Sequence, residues 1–363
     1  MAQNSLPFRR SPAILLLASN GSQDPNSGSE PAALSRMTAF GSHHATDARM
    51  SDKPTSIDFP LIIGVTTRAM FDLAEEHSIF ESEGVEAYAA LQRERENDPL
   101  KPGAAFEVTR RLLALNPTTG SPLVEVILLS RNSPDLSLRA FHAFEEHKIP
   151  IKRGSFTSGR SVAPFVKAWK VDLFLSNDEG DVRAADAAGT AAARLGARPD
   201  TVRDVPPDEV RFAFDGDAVV FSDASDQIYK ENGLDGFLQH ERENASVPMK
   251  RGPFGQTFLP KLAKLRAHFM KRDGTSRVRI AIVTARNAPA HERVVRTLRA
   301  WGTPADEAHF VGPLEKAPIL EATGAHIFFD DQEKHVVAAS EVVPSGLVPG
   351  PHPPERLVIP ANT

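Results

Sequence analysis

The chain repeats itself, and that constrains its fold more than any other feature. ILLSRNSP (127–134) and AIVTARNAP (281–289) share Arg-Asn-x-Pro, with Arg131 and Arg286 155 residues apart. Phe174 in VDLFLSND and Phe329 in HIFFDDQ keep the 155 spacing, and Ala163-Pro164 and Ala317-Pro318 lie 154 apart. Upstream, SEGVEAY (82–88) matches ENGLDGF (231–237), and ERENDPLKPG (94–103) matches ERENASVPMKRG (241–252). Gly84 and Gly233, and again Gly103 and Gly252, are 149 apart. Ordered matches at nearly constant offset describe two copies of one supersecondary unit.

Each copy reads as strand, helical insertion, strand, helix, strand. The first strands are 61–67 and 210–216, and the second are 124–130 and 278–284. All are short, β-branched and apolar, as parallel strands buried on both faces tend to be. Helices are expected over 133–147 and 289–302, so the class is α/β with parallel sheets. The organisation expected is an N-terminal extension (1–55), a first unit (56–180) and a linker (181–209). A second unit (210–342), with a helical cap at about 223–270, and a Pro-rich tail (343–363) complete it. The Ala-rich stretch 182–196 is expected to be helical.

Residues 1–55 are rich in Ser, Asn, Pro and Gly and read as a disordered extension. Arg9-Arg10 before the apolar run 13–19 has the outline of a secretory leader. That run is short and no clean Ala-x-Ala follows, so a loose extension, or translation from Met50, is the preferred reading. The absence of cysteine excludes disulfides and thiol chemistry and fits a reducing compartment. A net charge of -5 argues against a nucleic-acid binder. No apolar run is long enough to span a membrane. The expected location is cytoplasmic.

Only the second copy carries acidic groups at its strand ends. VRFAFDGDAVVFSD delivers Asp215 and Asp217, VRIAIVT ends in Thr284, and HIFFDD ends in Asp330 and Asp331; Lys316 lies between the last two strands. Ligands of open α/β sheets bind at the carboxyl ends of the strands. Carboxylates without Cys or clustered His favour Mg²⁺, and a cation plus a lysine around an anion pocket suits phosphoryl transfer. Any of these residues alone is weak evidence, since Asp-x-Asp is a common turn. Their order, each after an apolar strand, is specific.

That order resembles the haloacid dehalogenase-like phosphatases, in FAFDGDAV, Thr284, Lys316 and Asp330-Asp331. Within that superfamily the chain resembles the cytosolic 5′-nucleotidase type I family, through GVTTRAMFDLAEEHSIFESEGVEAY, ENDPLKPG, RFAFDGDAVVFSD and HIFFDDQ. The resemblance implies tandem Rossmann-like units, a catalytic C-terminal copy under a helical cap, and a degenerate N-terminal copy. It implies Asp215 as nucleophile, forming an aspartyl-phosphate, and Asp217 as general acid and base. Thr284 and Lys316 would hold phosphoryl oxygens. Mg²⁺ would be held by Asp215, the Asp217 carbonyl and Asp330, with Asp331 behind them. The expected activity is hydrolysis of nucleoside 5′-monophosphates. The alternative is another small phosphoester such as a sugar phosphate; a nucleotide-sensing role is disfavoured because both aspartates are present. A homo-oligomer is plausible.

In the first copy Thr66 and Arg68 replace Asp215 and Asp217, Leu129 replaces Thr284, Val162 replaces Lys316 and Leu175 replaces Asp330. That copy is expected to be inert. Substrate contacts are expected among Arg286, Asn287, Phe221, Tyr229 and Phe254. Arg68, Arg131 and Asn132 of the first copy are further candidates for a nucleotide or effector. His291, just beyond Arg286 and Asn287, reads more readily as an exposed helical residue. ERENASVPMKRG reads as a solvated helix face.

Overall fold

The structure, a computed structural model, describes residues 60–200 and 205–350. The expectations for 1–55, including the leader and Met50, and for the tail beyond 350 lie outside the described residues. So does part of the linker, at 201–204.

The buried apolar runs form strands, as their patterning requires. In the first half these are β1 (Leu61–Val65), β2 (Val124–Ser130), β3 (Gly154–Phe156), β4 (Leu173–Ser176) and β5 (Ala191–Leu195). In the second they are β6 (Val210–Phe214), β7 (Val278–Thr284), β8 (Glu307–Phe310), β9 (Ile327–Asp330) and β10 (Ser345–Leu347). All ten lie in one sheet, in the order β3-β2-β1-β4-β5-β10-β9-β6-β7-β8. Every pairing is parallel except one: β5 and β10 run antiparallel, with Gly346 opposite Leu195 and Leu347 opposite Arg194. The class is α/β with a mostly parallel, Rossmann-like sheet. Outward from that joint the strand order is the same on both sides.

Two expectations need correction. The Ala-rich 182–196 is helical only within Glu179–Ala187; it then turns at Gly189 (φ 84°) and runs as β5. Alanine favours helices, but here small side chains let β10 approach. A Cβ on Gly346 would lie 2.8 Å from that of Ala193. Tertiary packing overrides propensity. The stretch expected as a Pro-rich tail from 343 contributes β10 to the sheet, completing the joint.

The helical insertions follow β1 and β6. The first is Ala74–Glu83 and Val85–Glu94; the second is Ala224–Glu243, bent at Gly233. Gly84 (φ 89°) and Gly233 (φ 68°) sit in the left-handed region at equivalent bends, where a side chain would be strained. Gly103 and Gly252 are constrained differently, by close backbone approach. Each donates its N–H, over 2.8 Å, to the turn after the first strand: Gly103 to the Met70 carbonyl and Gly252 to the Val220 carbonyl. A Cβ would come within 2.9 Å of the Ala69 oxygen at Gly103 and 2.3 Å of the Phe221 oxygen at Gly252. Backbone cannot yield as a side chain can. Gly252→Ala is therefore expected to cost about 3 kcal/mol, and Gly103→Ala about half of that. Urea unfolding of both variants checks the order of the two costs.

Among the described residues, no helix is long and apolar enough to cross a membrane. Phe212, Phe214, Phe254, Phe258 and Phe329 pack into the core of the second half, with the Phe254 and Phe329 ring centroids 4.7 Å apart.

Candidate active site

β6 and β9 are neighbours, so their carboxyl ends deliver Asp215 and Asp330 side by side. The Asp215 N–H donates to the Phe329 carbonyl over 2.8 Å, which carries the pairing one residue past β6. The chain then makes a wide turn, closed by the Phe221 N–H on the Gly216 carbonyl at 2.8 Å. Gly216 has no room for a side chain, since its Cβ would sit 3.0 Å from Thr284 Oγ1. That near contact brings the hydroxyl at the end of β7 against the turn carrying Asp215.

Lys316 enters from the start of the helix Ala317–Thr323. Its Nζ donates to Asp215 Oδ1 over 2.7 Å and to Asp330 Oδ2 over 2.6 Å. Asp330 Oδ1 also accepts from the Gln332 N–H at 2.8 Å, and His335 Nδ1 lies 3.2 Å from Oδ2. Asp215, Asp330 and Asp331 are all buried, and each offers an oxygen within 4.8 Å of the others. Three carboxylates against one ammonium leave an excess of negative charge away from water. A divalent cation with a preference for hard oxygen ligands fits that set.

The electrostatics follow from this crowding. Burial, with Asp330 adding to it, pushes the Asp215 carboxyl up to about 6 against the pull of Lys316. Burial and the charges of Asp330 and Asp215 push Asp331 up to about 8. Asp330 is also desolvated, but Lys316 and His335 outweigh burial and hold it below the ordinary carboxylate value. Burial alone would lower Lys316; Asp215 and Asp330 hold it above the usual lysine value.

Asp217 is clasped by Arg286. Arg286 Nε donates to Oδ2 over 2.8 Å and Nη2 to Oδ1 over 2.7 Å. The third side of the guanidinium is taken by Glu241, which has no exposed surface. Glu241 Oε1 also accepts from Arg293 Nη1 at 2.9 Å and from Ser225 Oγ at 3.0 Å. Burial would raise the Glu241 carboxyl, but the two arginines and Ser225 hold it below its ordinary value.

The sequence-derived substrate candidates divide sharply. Arg286 is at the site, though on Asp217. Asn287 follows it, with Nδ2 3.3 Å from where a Cβ would stand on Gly312. His291 is half-buried rather than exposed, its ring edge-on to Phe310. Tyr229 is half exposed, on the insertion, against Phe237. Phe221 and Phe254 are fully buried, Phe221 against Trp301 and Phe254 within the phenylalanine core. Neither presents exposed surface on which a base could stack.

Arg68, Arg131 and Asn132 are excluded from this site by topology. Because β5 and β10 run antiparallel, the strands of the first half point the other way. Their carboxyl ends lie at the opposite edge of the sheet. There Arg131 pairs with Asp181 at 2.7 Å, and Asn132 Oδ1 accepts from the Tyr88 hydroxyl at 3.2 Å. The first half lends this site none of those three residues.

Glu241 and Phe237 were not singled out from the sequence. Glu241 falls in the stretch read as solvated, yet it is buried. Nothing in the sequence marked it as buried; the 149 offset sets it opposite Gln92, not Glu94. Gln92 is also buried, and accepts from Arg139 at 3.0 Å.

The 5′-nucleotidase family model matches residues 53–353 of the chain. Human "Cytosolic 5'-nucleotidase 1B" is 33% identical over 293 residues, which is 78% of this chain and 47% of that protein. The chain thus spans about half the length of the curated relative it matches.

Proposed function

The chain belongs to the cytosolic 5′-nucleotidase type I family, and from that membership and the site we propose that it is a Mg²⁺-dependent 5′-nucleotidase acting on nucleoside 5′-monophosphates. The observation that carries the reading is Asp215 at the end of β6, held by Lys316 beside Asp330 and Asp331. Its place of work in this reading is the cytosol, where the relative's printed name puts that protein.

Asp215, the Asp217 carbonyl and Asp330 would hold Mg²⁺, with Asp331, clustered beside Asp215 and Asp330, behind them. The cation supplies the charge that lets a carboxylate approach a phosphate dianion. Asp215 Oδ forms a bond to phosphorus as the bond to the 5′ oxygen breaks. Asp217 gives its proton to that departing oxygen. Water then displaces Asp215 from phosphorus and returns a proton to Asp217. Lys316 and the Thr284 hydroxyl donate to phosphoryl oxygens as charge builds on them.

We read residues 56–180 and 210–342 as two copies of one unit, the first inert, with about 223–270 as the cap of the second. Equal strand order, the paired bends at Gly84 and Gly233 and the paired packing of Gly103 and Gly252 support this. Thr66, Arg68, Leu129, Val162 and Leu175 leave the first copy without a nucleophile, an acid or a lysine of the set.

The test is phosphate release from 5′-monophosphates, 3′-monophosphates and sugar phosphates, with Mg²⁺ or with EDTA. Turnover of 5′-monophosphates that disappears in EDTA is the expected result. Turnover confined to sugar phosphates would keep the chemistry and overturn the substrate class. Mg²⁺ at about 100 times its Kd should also raise stability by roughly 2.7 kcal/mol, read as a rise in Tm. No rise would remove the metal from the proposal.

A further inference from the structure

The clasp on Asp217 reaches back into the helical insertion. Arg286 spends its guanidinium on two carboxylates: Nε and Nη2 on Asp217, Nη1 on Glu241. Arg286 is almost fully buried, and the Phe237 ring lies under the guanidinium at 5.3 Å. Glu241 and Phe237 both belong to the helix Ala224–Glu243. Glu241 is itself held by Arg293 and Ser225, so both its oxygens are engaged.

Asp217 needs such support. It is about a quarter exposed, on a turn whose next residue, Ala218, has φ 59°. An unsupported aspartate there would sample several rotamers, and holding it in one costs side-chain entropy. A planar guanidinium fixed on its far side removes that freedom. To act as an acid Asp217 must carry a proton on one oxygen: that oxygen leaves the guanidinium and turns to the leaving group, while Arg286 keeps its bond to the other.

The first half shows the link missing where the acid is missing. At the same offsets Arg68 stands for Asp217, Gln92 for Glu241 and Arg131 for Arg286. Arg131 there turns to Asp181 and Asp178 instead, and Gln92 takes Arg139.

We propose that Glu241, acting through Arg286, is a positioning residue that holds Asp217 where it can protonate the leaving 5′ oxygen. This rests on the nucleotidase reading above. The insertion would then do more than cover the site: one of its carboxylates sets the geometry of proton transfer.

The test separates proton donation from everything else by changing the leaving atom. One substrate is a nucleoside 5′-monophosphate. The other is the same nucleotide with sulfur in place of the bridging 5′ oxygen, which leaves as a thiolate without needing a proton. Glu241→Gln and Arg286→Lys should each lower kcat on the oxygen ester about 30- to 100-fold, the range of general acid catalysis. On the sulfur ester each should change kcat less than about threefold, with KM little altered on both. Lys316→Met, which removes a donor to the phosphoryl oxygens and leaves Asp217, Arg286 and Glu241 in place, is the control and should lower both esters alike.

Equal losses on the two esters in Glu241→Gln and Arg286→Lys would overturn the proposal, and so would no loss on the oxygen ester. Should Glu241→Gln fold poorly, Arg286→Lys still decides, since it keeps a cation for Glu241. Wild type inactive on both esters would overturn the nucleotidase reading and this inference with it. Wild type active on both, with variants losing both alike, would overturn this inference alone.

Discussion

Asp215→Asn is expected to lower 5′-monophosphate turnover by at least about 10⁴-fold, the scale of loss when a covalent nucleophile is removed. The substitution is nearly isosteric. An asparagine oxygen can still accept from Lys316, which now lies 2.7 Å from Oδ1. The fold should therefore survive, with Tm within a few degrees of wild type. What should be lost is the oxygen proposed as nucleophile, because an amide oxygen is a poor nucleophile toward phosphorus. Single-turnover assays with labelled substrate should show phosphoenzyme in the wild type and none in the variant. Retention of more than about a tenth of the activity would assign the nucleophile elsewhere.

Lys316→Met is expected to lower kcat/KM about 10³-fold, as losing a buried donor to a transition-state oxygen does. Its second effect is on stability. Nζ is the positive charge that bridges Asp215 and Asp330, and Asp331 crowds the same space. Breaking a buried pair by removing one partner costs about 3–5 kcal/mol, because the other charge stays behind. In EDTA the variant should melt well below wild type. Excess Mg²⁺ should recover much of the difference, since a cation among the carboxylates supplies the missing charge. A variant as stable as wild type in EDTA would mean that protonation of the carboxylates already compensates for the lost lysine.

Both expectations were legible in the residues. Asp215, Thr284, Lys316 and Asp330-Asp331 follow apolar runs, and buried parallel strands announce themselves by such runs. β2 and β7 have the bounds their patterning gives. β3, β5, β8 and β10 were illegible for a different reason: GSF, AAARL, EAHF and SGL are not runs of bulky apolar residues. The alanines of β5 even argue for helix.

Phe221 and Phe254 could not be told from ligand-facing aromatics, because a lone phenylalanine reads the same in a core and in a pocket. Glu241 was hidden by its neighbours, since a buried glutamate flanked by Arg242 and Glu243 looks like solvent-facing charge. The separation of Arg131 from Arg286 was beyond any local reading. Residues matched at the 155 spacing end at opposite edges of the sheet through the sense of one strand pair, β5 with β10.

That strand pair also carries a symmetry. Equivalent strands that meet antiparallel are related by a two-fold axis, and this is how identical subunits join in an isologous dimer. Here one covalent chain holds both halves about such an axis. The joint covers one flank of each half, and the outer flanks end in β3 and β8, three and four residues long, too short to recruit further strands. Fusion of the two partners removes the demand that both stay alike. On the two-copy reading proposed above, one half is then free to lose the carboxylates while the other keeps them.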